Sequence, residues 1–469
     1  LYAHNEYTKR PGRLQSMAVT NKNRKKTMKK TLFLSTIALT SLVFAGCSNE
    51  AEELNTNNSR EINTLIVSMP DDDVTTRTAH DATGKKTTWV VGDKIGIYLN
   101  GTGNPIEYTA SAAGSSVEFT GAALTSGNNY VAVYPFMAEK SIDEVMEVTL
   151  DNQMQTGKDN TDHLSETHVM KTESFVASSE LNIRFNHAVS IVKISLPARI
   201  GAKGASIRGA WGDRLYYLAF SSAIDEAVTA YIAVPASTAD TKTLYASVYD
   251  ATTCYCYQKD AESATNIPLG KMVNVNVSGT PIDYPVTGIN AGHEYVTIGT
   301  DNWATCNVGA CVPWEYGGKY YWGAFDVTSI QDTYYKGTED IQGKTNLTLT
   351  DGTTIGGDVA TYKWGNGWKM PKASGAYDVQ LELDKLHYIG IDWETDYKGT
   401  GINGHTFGTS SAFVFLPAAY GSGNDWGKYW SSSYVDSRII GLEFYDCGPY
   451  DLRVNTGDFE YSVRPIYIP

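Results

Sequence analysis

Thr88-Trp89-Val90-Val91-Gly92-Asp93-Lys94-Ile95-Gly96-Ile97-Tyr98 sets a Gly-Asp turn between two runs of β-branched and aromatic residues. That is the writing of a hairpin. Ile62, Leu65 and Val67 open an earlier strand, and Tyr108, Val117, Phe119 and Tyr130-Val131-Ala132-Val133-Tyr134-Pro135 continue the pattern. Further runs follow at Phe185 to Ile194, Ala230 to Val234, Leu244 to Tyr249 and Val273 to Val277. A chain of short strands joined by turns must bury itself as stacked sheets. With 31 tyrosines, 43 glycines and only 19% charged residues the expectation is a mostly β protein. Its 469 residues exceed one ordinary core and call for two to four domains.

The N-terminal region reads as an address. Residues 1–27 are basic, lack a hydrophobic pattern and are expected to be an upstream translation artefact. From Met28 a basic pair, Lys29 and Lys30, precedes an apolar run from Leu32 to Ala45. That run is too short to span a bilayer and suits a signal segment, 28–46. Phe44-Ala45-Gly46-Cys47 resembles a bacterial lipobox, with Phe44 where leucine is commoner, and implies lipidation of Cys47 and an outer-membrane anchor. Ser-Asn-Glu-Ala-Glu-Glu after Cys47 resembles the acidic tag that exports some lipoproteins to the outer surface, and 47–60 otherwise reads as a solvated linker.

Without residues 1–46 the chain carries 29 basic and 51 acidic residues, a net charge of −22. Nucleic-acid binding is driven by phosphate neutralisation, so no nucleic-acid partner is expected. Five cysteines remain beyond Cys47, and an odd number cannot all pair. Cys254 and Cys256 fall on one strand face, which is poor bridging geometry. Cys306 with Cys311 is the expected bridge. No zinc spacing, CxxC or HExxH occurs, so no metal, cofactor or enzymatic activity is expected. Asp71-Asp72-Asp73 lacks alternating calcium ligands and reads as a solvated turn.

Pro281, Pro285, Gly288 and Gly292 mark a linker over 281–292, after which the composition changes. Trp303 to Ala310, Tyr316-Gly317 with Tyr320-Tyr321-Trp322-Gly323, Trp364-Gly365-Asn366-Gly367-Trp368-Lys369-Met370-Pro371, Phe415 to Ala419, Tyr429 to Ser432 and Ser462 to Pro465 come at short intervals. Large rings fill an interior while glycines permit close corners. One segment here looks helical, with Val379, Leu383 and Leu386 at i, i+4, i+7 and Ser374 as its N-cap.

The stretch from Tyr429 to Pro469 mixes two kinds of position. Tyr429 to Ser432, Ile439, Leu442, Phe444 and Ser462 to Pro465 look structural. Tyr434, Val435, Asp436 and Ser437, then Tyr445, Asp446, Cys447, Tyr450 and Asp451, then Asn455, Asp458, Phe459 and Tyr461, have no core periodicity. Tyr gives contact area at low entropic cost while Ser, Gly and Asn adapt, so these positions are the candidate ligand-binding surface. Residues 434–461 contain no Lys, Gln, Met or Trp, none of which an AAY codon can reach by adenine randomisation. Retroelement diversification of this surface stays open, and with it an accidental origin for Cys447.

Two family resemblances order these features. Thr76-Arg77-Thr78, Trp89 to Tyr98, Tyr134-Pro135 and Phe185-Asn186-His187-Ala188-Val189-Ser190-Ile191-Val192-Lys193-Ile194 resemble the fimbrillin family of surface pilins over about 62–278. The six aromatic and glycine motifs over about 293–467 resemble the Fibrobacter succinogenes major paralogous domain, a branch of the C-type-lectin-like fold. The resemblances imply two transthyretin-like β-sandwich domains, 61–187 and 188–280, then a C-type-lectin-like α+β domain, 293–469. They also imply donor-strand partnership with other pilin subunits, with processing after a basic residue for which Arg60 is the matching position. Arg60 suits an ordinary exposed arginine equally well. His187 alone is no catalytic signal and is expected to be a hydrogen-bonded structural histidine. The calcium-lectin loop and Trp-Asn-Asp strand are absent after residue 293, and Asn424-Asp425-Trp426 reads as a surface turn. The implied role is a pilus tip adhesin whose head binds a glycan or protein on another cell. The alternative is a non-polymerising surface lipoprotein.

Overall fold

Ile62–Ser68 alternates between core and solvent, burying Ile62, Leu65 and Val67, and that alternation is what lets a strand serve as one wall of a core. In the computed structural model the described residues are 62–70, 88–178, 181–237, 241–326, 339–348, 354–365, 367–375, 381–421, 423–446, 451–455 and 459–469. Cys47 and Arg60 lie outside them, as do Thr76 to Thr78. The chain is mostly β, with four short α-helices among the described residues. None of the described helices is long and apolar enough to cross a membrane.

The first module is one sheet in the order Lys94–Leu99, Ile106–Ala110, Ser116–Leu124, Ile62–Ser68, Asn182–His187, Met170–Thr172, Asn129–Tyr134, Phe175–Val176. Lys94–Leu99 also pairs with Asn129–Tyr134, so the sheet closes on itself. Ile62–Ser68 is interior, antiparallel to Ser116–Leu124 and parallel to Asn182–His187. Trp89 fills the core with Phe119, Tyr134 and Phe185 edge-on at 5.0–5.5 Å, the arrangement ring quadrupoles favour. The Gly-Asp turn forms, with the Asp93 carboxylate accepting from the Val90 amide at 2.7 Å, but the expected hairpin does not: Trp89 bridges Gly114, and Lys94–Leu99 pairs with Ile106–Ala110 and Asn129–Tyr134 instead.

The second module stacks a three-stranded sheet, Val228–Val234, Ser190–Leu196, Met272–Asn276, on a six-stranded one. The larger sheet runs Ile282–Pro285, Thr253–Thr265, Thr241–Tyr249, Ala202–Arg208, Tyr216–Ile224, Gln153–Gln155. Its last strand comes from the 61–187 stretch, as does helix Ile142–Asp151, whose Val145 and Leu150 join the second core. Ser141 and Glu144 form a capping box that starts this helix. Glutamine side chains then act as stand-in peptides on the edge strand Val228–Val234. Gln155 bonds Thr229 and Tyr231, and Gln153 bonds both polar groups of Ala233 at 2.7 and 2.8 Å. His163 and the Lys158 carbonyl meet the remaining outward groups of Tyr231 and Thr229, so this edge is sealed against strand addition. His187 lies 2.7 Å from His168, ring nitrogen to ring nitrogen, as a buried structural pair.

The 281–292 stretch, expected as a linker, carries two strands. Ile282–Pro285 pairs with Thr253–Thr265 of the second module, and Gly288–Asn290 pairs with His293–Ile298 of the third. Its prolines and glycines punctuate two short strands instead of loosening the chain. In the third module a five-stranded sheet runs Gly288–Asn290, His293–Ile298, Asp301–Ala304, Ile466–Tyr467, Trp368–Lys369. The C-terminal strand therefore sits inside the sheet with a partner on each side. Trp303 and Trp368 of its strands are buried, as are Trp322 and Trp430, Trp303 in one core cluster and the other three in a second.

Three expectations in this module are corrected. Cys306 and Cys311 are free thiols, as are Cys254 and Cys256; the Cys306 sulfur lies against Thr305, while Cys311 donates to the Gly212 carbonyl at 3.0 Å. Ser374 does not cap the described helix, which spans Glu382–Tyr388 with Leu381 at its N-cap, and the Ser374 amide donates to Asp384 at 2.9 Å; Val379 lies outside the described residues. The module holds a second helix, Val359–Trp364, that apolar spacing does not reveal; it is capped by the Asp358 side chain, which accepts from Thr361.

Candidate functional site

Trp426–Val435 and Arg438–Tyr445 form a long hairpin whose register fixes the candidate surface. Asp436 and Ser437 both have positive φ, 48° and 65°, as a two-residue turn matched to strand twist demands. Trp426 pairs with Tyr445 at the far end and Val435 with Arg438 beside the turn. Nine residues of strand separate the ends, roughly 30 Å at the usual rise. The predicted residues therefore divide into two groups.

At the turn end Asp436 and Ser437 are exposed, whereas Tyr434 and Val435 are half-buried. Tyr434 is held from both sides: its amide donates to Asp340 at 2.8 Å and its ring lies 6.4 Å from that of Trp322. Asn455 belongs to this end through its register with Ile439. At the far end Tyr445 is half-buried and Asp446 exposed, while Phe459, 54% exposed, has its ring 6.4 Å from that of Tyr461. Asp451 pairs with Glu443 on the strand leading there. Cys447, Tyr450 and Asp458 lie outside the described residues.

Tyr461 requires a correction. It is 2% exposed, pairs with Tyr320 and donates its hydroxyl to the buried Glu443 carboxylate at 2.5 Å. A side chain so enclosed supports the surface from beneath and cannot touch a ligand.

The far end gains residues that sequence reasoning missed. Trp426, read as part of a turn, is 39% exposed and is the one exposed tryptophan among ten. Its ring meets Tyr445 edge to face at 4.9 Å. Lys428 sits over Trp426 at 4.9 Å and Tyr461 at 5.3 Å, with Glu443 at 3.6 Å. Lys319 lies 4.0 Å over Tyr420 and donates to the Ala419 carbonyl; burial pushes its pKa down. The signal was available in the alternation Trp426-Gly427-Lys428-Tyr429. The Phe444 ring covers Gly427 so closely that a Cβ there would have no room, so Trp426 and Lys428 take the opposite face. The resulting patch offers aromatic faces flanked by two partly shielded cations, Lys428 and Lys319. Among the described residues no group of three or more His, Cys, Asp or Glu converges as metal ligands.

A second polar centre joins the modules. Arg208 of the second module and Glu294 of the third form a bidentate pair at 2.6 and 3.0 Å, with side chains 2% and 0% exposed. Tyr249, Tyr284 and Thr305 donate hydroxyls to the same carboxylate at 2.6, 3.0 and 3.0 Å. Burial pushes the Glu294 carboxyl up, yet the Arg208 charge and these hydrogen bonds overcome it and hold the pKa below its usual range. A charge pair this enclosed fixes orientation more surely than it adds stability.

Family models and curated proteins give no match to this chain. Solved structures with similarity include a fimbrial protein from Bacteroides ovatus, 11% identical with a TM-score of 0.26, covering 86% of this chain and 99% of its own. A Bacteroides uniformis protein provisionally assigned to cell adhesion is 15% identical with a TM-score of 0.28, covering 48% of this chain and 95% of its own. At these TM-scores neither likeness carries weight for function, which has to be sought in the chain's own geometry.

Proposed function

We propose that this chain is a cell-surface adhesion subunit of fimbrial type that ends a pilus and presents a lectin-type head to a glycan or protein on another cell. The observation that carries the reading is the place of the C-terminal strand. Ile466–Tyr467 lies between Asp301–Ala304 and Trp368–Lys369. Just before it, the buried Arg464 guanidinium donates to Asn307 at 2.8 Å, Phe415 at 2.9 Å and Ala304 at 3.1 Å. A strand committed to its own core is not available for donation to a neighbour, so polymer growth by that route stops here. The ligand surface is the far hairpin end, with Trp426, Tyr445 and Phe459 as its anchors. Membrane attachment through Cys47, later release after Arg60, and donor-strand contact with other pilin subunits complete the proposal, and no catalytic step belongs to it.

The closed first sheet favours the second reading, a non-polymerising outer-membrane lipoprotein. Ile62–Ser68 already occupies the interior position between Ser116–Leu124 and Asn182–His187, and a cut after Arg60 leaves that strand in place. Mass spectrometry of the protein from cells that make it separates the two: an N-terminus just after Arg60 together with recovery in shed fimbriae supports the tip subunit, and an intact lipidated Cys47 supports the lipoprotein. For binding, the full chain is screened on glycan and protein arrays against Trp426→Ala and Phe459→Ala. Capture that neither variant weakens overturns the assigned surface.

A further inference from the structure

We propose that the seam between the second and third modules is a second ligand site, built for a neutral sugar of one or two rings. A cleft of 330 Å³ opens there, lined among others by Tyr217, Tyr249, Asp250, Thr253, Ile289 and Asp151. It lies on elements other than the far hairpin end. Its volume falls in the range of small-molecule pockets, and domain junctions are where such pockets concentrate.

The walls are organised before any ligand arrives. Tyr249 is held by its hydroxyl to Glu294 at 2.6 Å, inside the Arg208 network. Tyr217 meets Tyr249 edge to face at 5.4 Å. Asp250 is fixed by the amides of Thr252 and Thr253 and by the Tyr255 hydroxyl, each at 2.9 Å. Asp151 is held by Arg214 at 2.6 Å. A site already rigid in its bound geometry loses little entropy on binding.

The chemistry of the lining selects the ligand. Asp151 and Asp250 are its two charged side chains, so an anionic ligand is repelled. Asp151 is paired with Arg214, and Asp250 accepts from three neutral donors. What they retain is acceptor capacity, since an ionised carboxylate has about four lone-pair sites. Hydroxyl donors fit that need. The apolar part of the lining, with Leu215, Val286 and Ile289, suits the C–H faces of a sugar ring. Thr253 and the rings of Tyr217 and Tyr249 complete a mixed wall.

The test uses the purified full chain and three neutral disaccharides, maltose, lactose and N,N′-diacetylchitobiose, with glucuronate as the acidic control, read by titration calorimetry and saturation-transfer NMR. Tyr217→Ala removes a wall, and Ala251→Trp plugs the mouth from an exposed position, so a folded variant is expected and its melting curve checks it. The expected result is saturable binding of at least one disaccharide, weakened tenfold or more by each cleft variant, unchanged by Trp426→Ala and absent for glucuronate. The proposal is overturned if none of the three binds, if binding survives Ala251→Trp, if glucuronate binds as well, or if Trp426→Ala alone abolishes binding. The last outcome would credit the head surface and leave the function proposed above standing.

Discussion

Replacing Glu294 by alanine tests how firmly the third module is joined to the second. Arg208 is 1% exposed and donates twice to this carboxylate. Truncation leaves a buried guanidinium whose remaining acceptors are the Cys311 carbonyl, the Ser247 and Tyr249 hydroxyls and neighbouring neutral groups. Removing one partner of such a pair costs about 3–5 kcal/mol. Tyr284 and Thr305 also lose their acceptor, at about 1 kcal/mol each, although rearrangement recovers part of that. The expected loss for Glu294→Ala is therefore about 4–6 kcal/mol. Arg208→Met, which strands the carboxylate, is expected to lose a similar amount. Arg208→Met with Glu294→Leu removes both charges and is expected to lose at least about 2 kcal/mol less than the sum of the single losses. Urea unfolding monitored by tryptophan fluorescence gives all three values. Single losses within about 1 kcal/mol of wild type, or strict additivity in the double variant, would refute the account of a dry, coupled pair. The pair also sets an acid limit. Because the Glu294 pKa is lowered on folding, its contribution is complete above the ordinary carboxylate range and is lost as pH falls through the folded value.

Burial pushes His163, His168 and His405 down from their ordinary pKa and takes His293 to about 3. A base with a depressed folded pKa contributes stability that is full above about 6.5 and lost as pH falls below it, so unfolding free energy should decline from pH 6.5 to 5. His293→Phe should shrink that decline by about 2 kcal/mol, and a pH-independent stability over this range would contradict the burial argument. Gln153→Ala with Gln155→Ala strips four backbone groups of Thr229, Tyr231 and Ala233 of partners; we expect a loss of about 1–3 kcal/mol per orphaned group before relaxation and faster aggregation by light scattering. Trp426→Ala should change stability by no more than about 0.5 kcal/mol, as an exposed site does, while weakening ligand capture at the head. A melting point as depressed as that of a core variant would mean Trp426 is structural.

The chain's periodicity was readable where one face met water. Trp89 to Tyr98 announced its Gly-Asp turn and the strand Lys94–Leu99 after it, because a turn signal and an apolar run are local, but not that Trp89 would bridge Gly114 instead of folding back on that strand. What could not be read locally was partnership. Gln153 and Gln155 look like ordinary polar residues, yet they serve as surrogate peptides for a strand some eighty residues downstream. Pro285 and Gly288 look like a flexible joint, and only the pairing of Ile282–Pro285 with one sheet and Gly288–Asn290 with the next makes them a seam. On the candidate surface the composition rule picked Phe459, which is exposed, and Tyr445, which is half-buried, but swept in Tyr461, which is buried. It also missed Trp426, since exposure of a tryptophan depends on Gly427 surrendering the other face to Phe444.

Non-local pairing also sets the orientation of the head, and with it the path that load takes through the molecule. Ile282–Pro285 ends in the second module's sheet and Gly288–Asn290 begins the third module's, with only Val286 and Thr287 between them. Val286 and Thr287 are themselves bonded, Val286 to the Thr252 carbonyl and Thr287 to the Tyr295 carbonyl, both at 2.8 Å. A pull on the third module is therefore resisted in parallel by the strand junction, the Arg208–Glu294 pair, the apolar cluster that joins Tyr245 and Tyr284 to Trp314 and Phe415, and hydrogen bonds such as Tyr245 to Glu315. Under that arrangement Glu294→Ala should lower the force at which the head separates from the stalk in single-molecule pulling, while Trp426→Ala should lower only the lifetime of the ligand bond. If both variants shorten the bond lifetime equally and leave the separation force unchanged, the load does not pass through the pair, and its function is confined to folding.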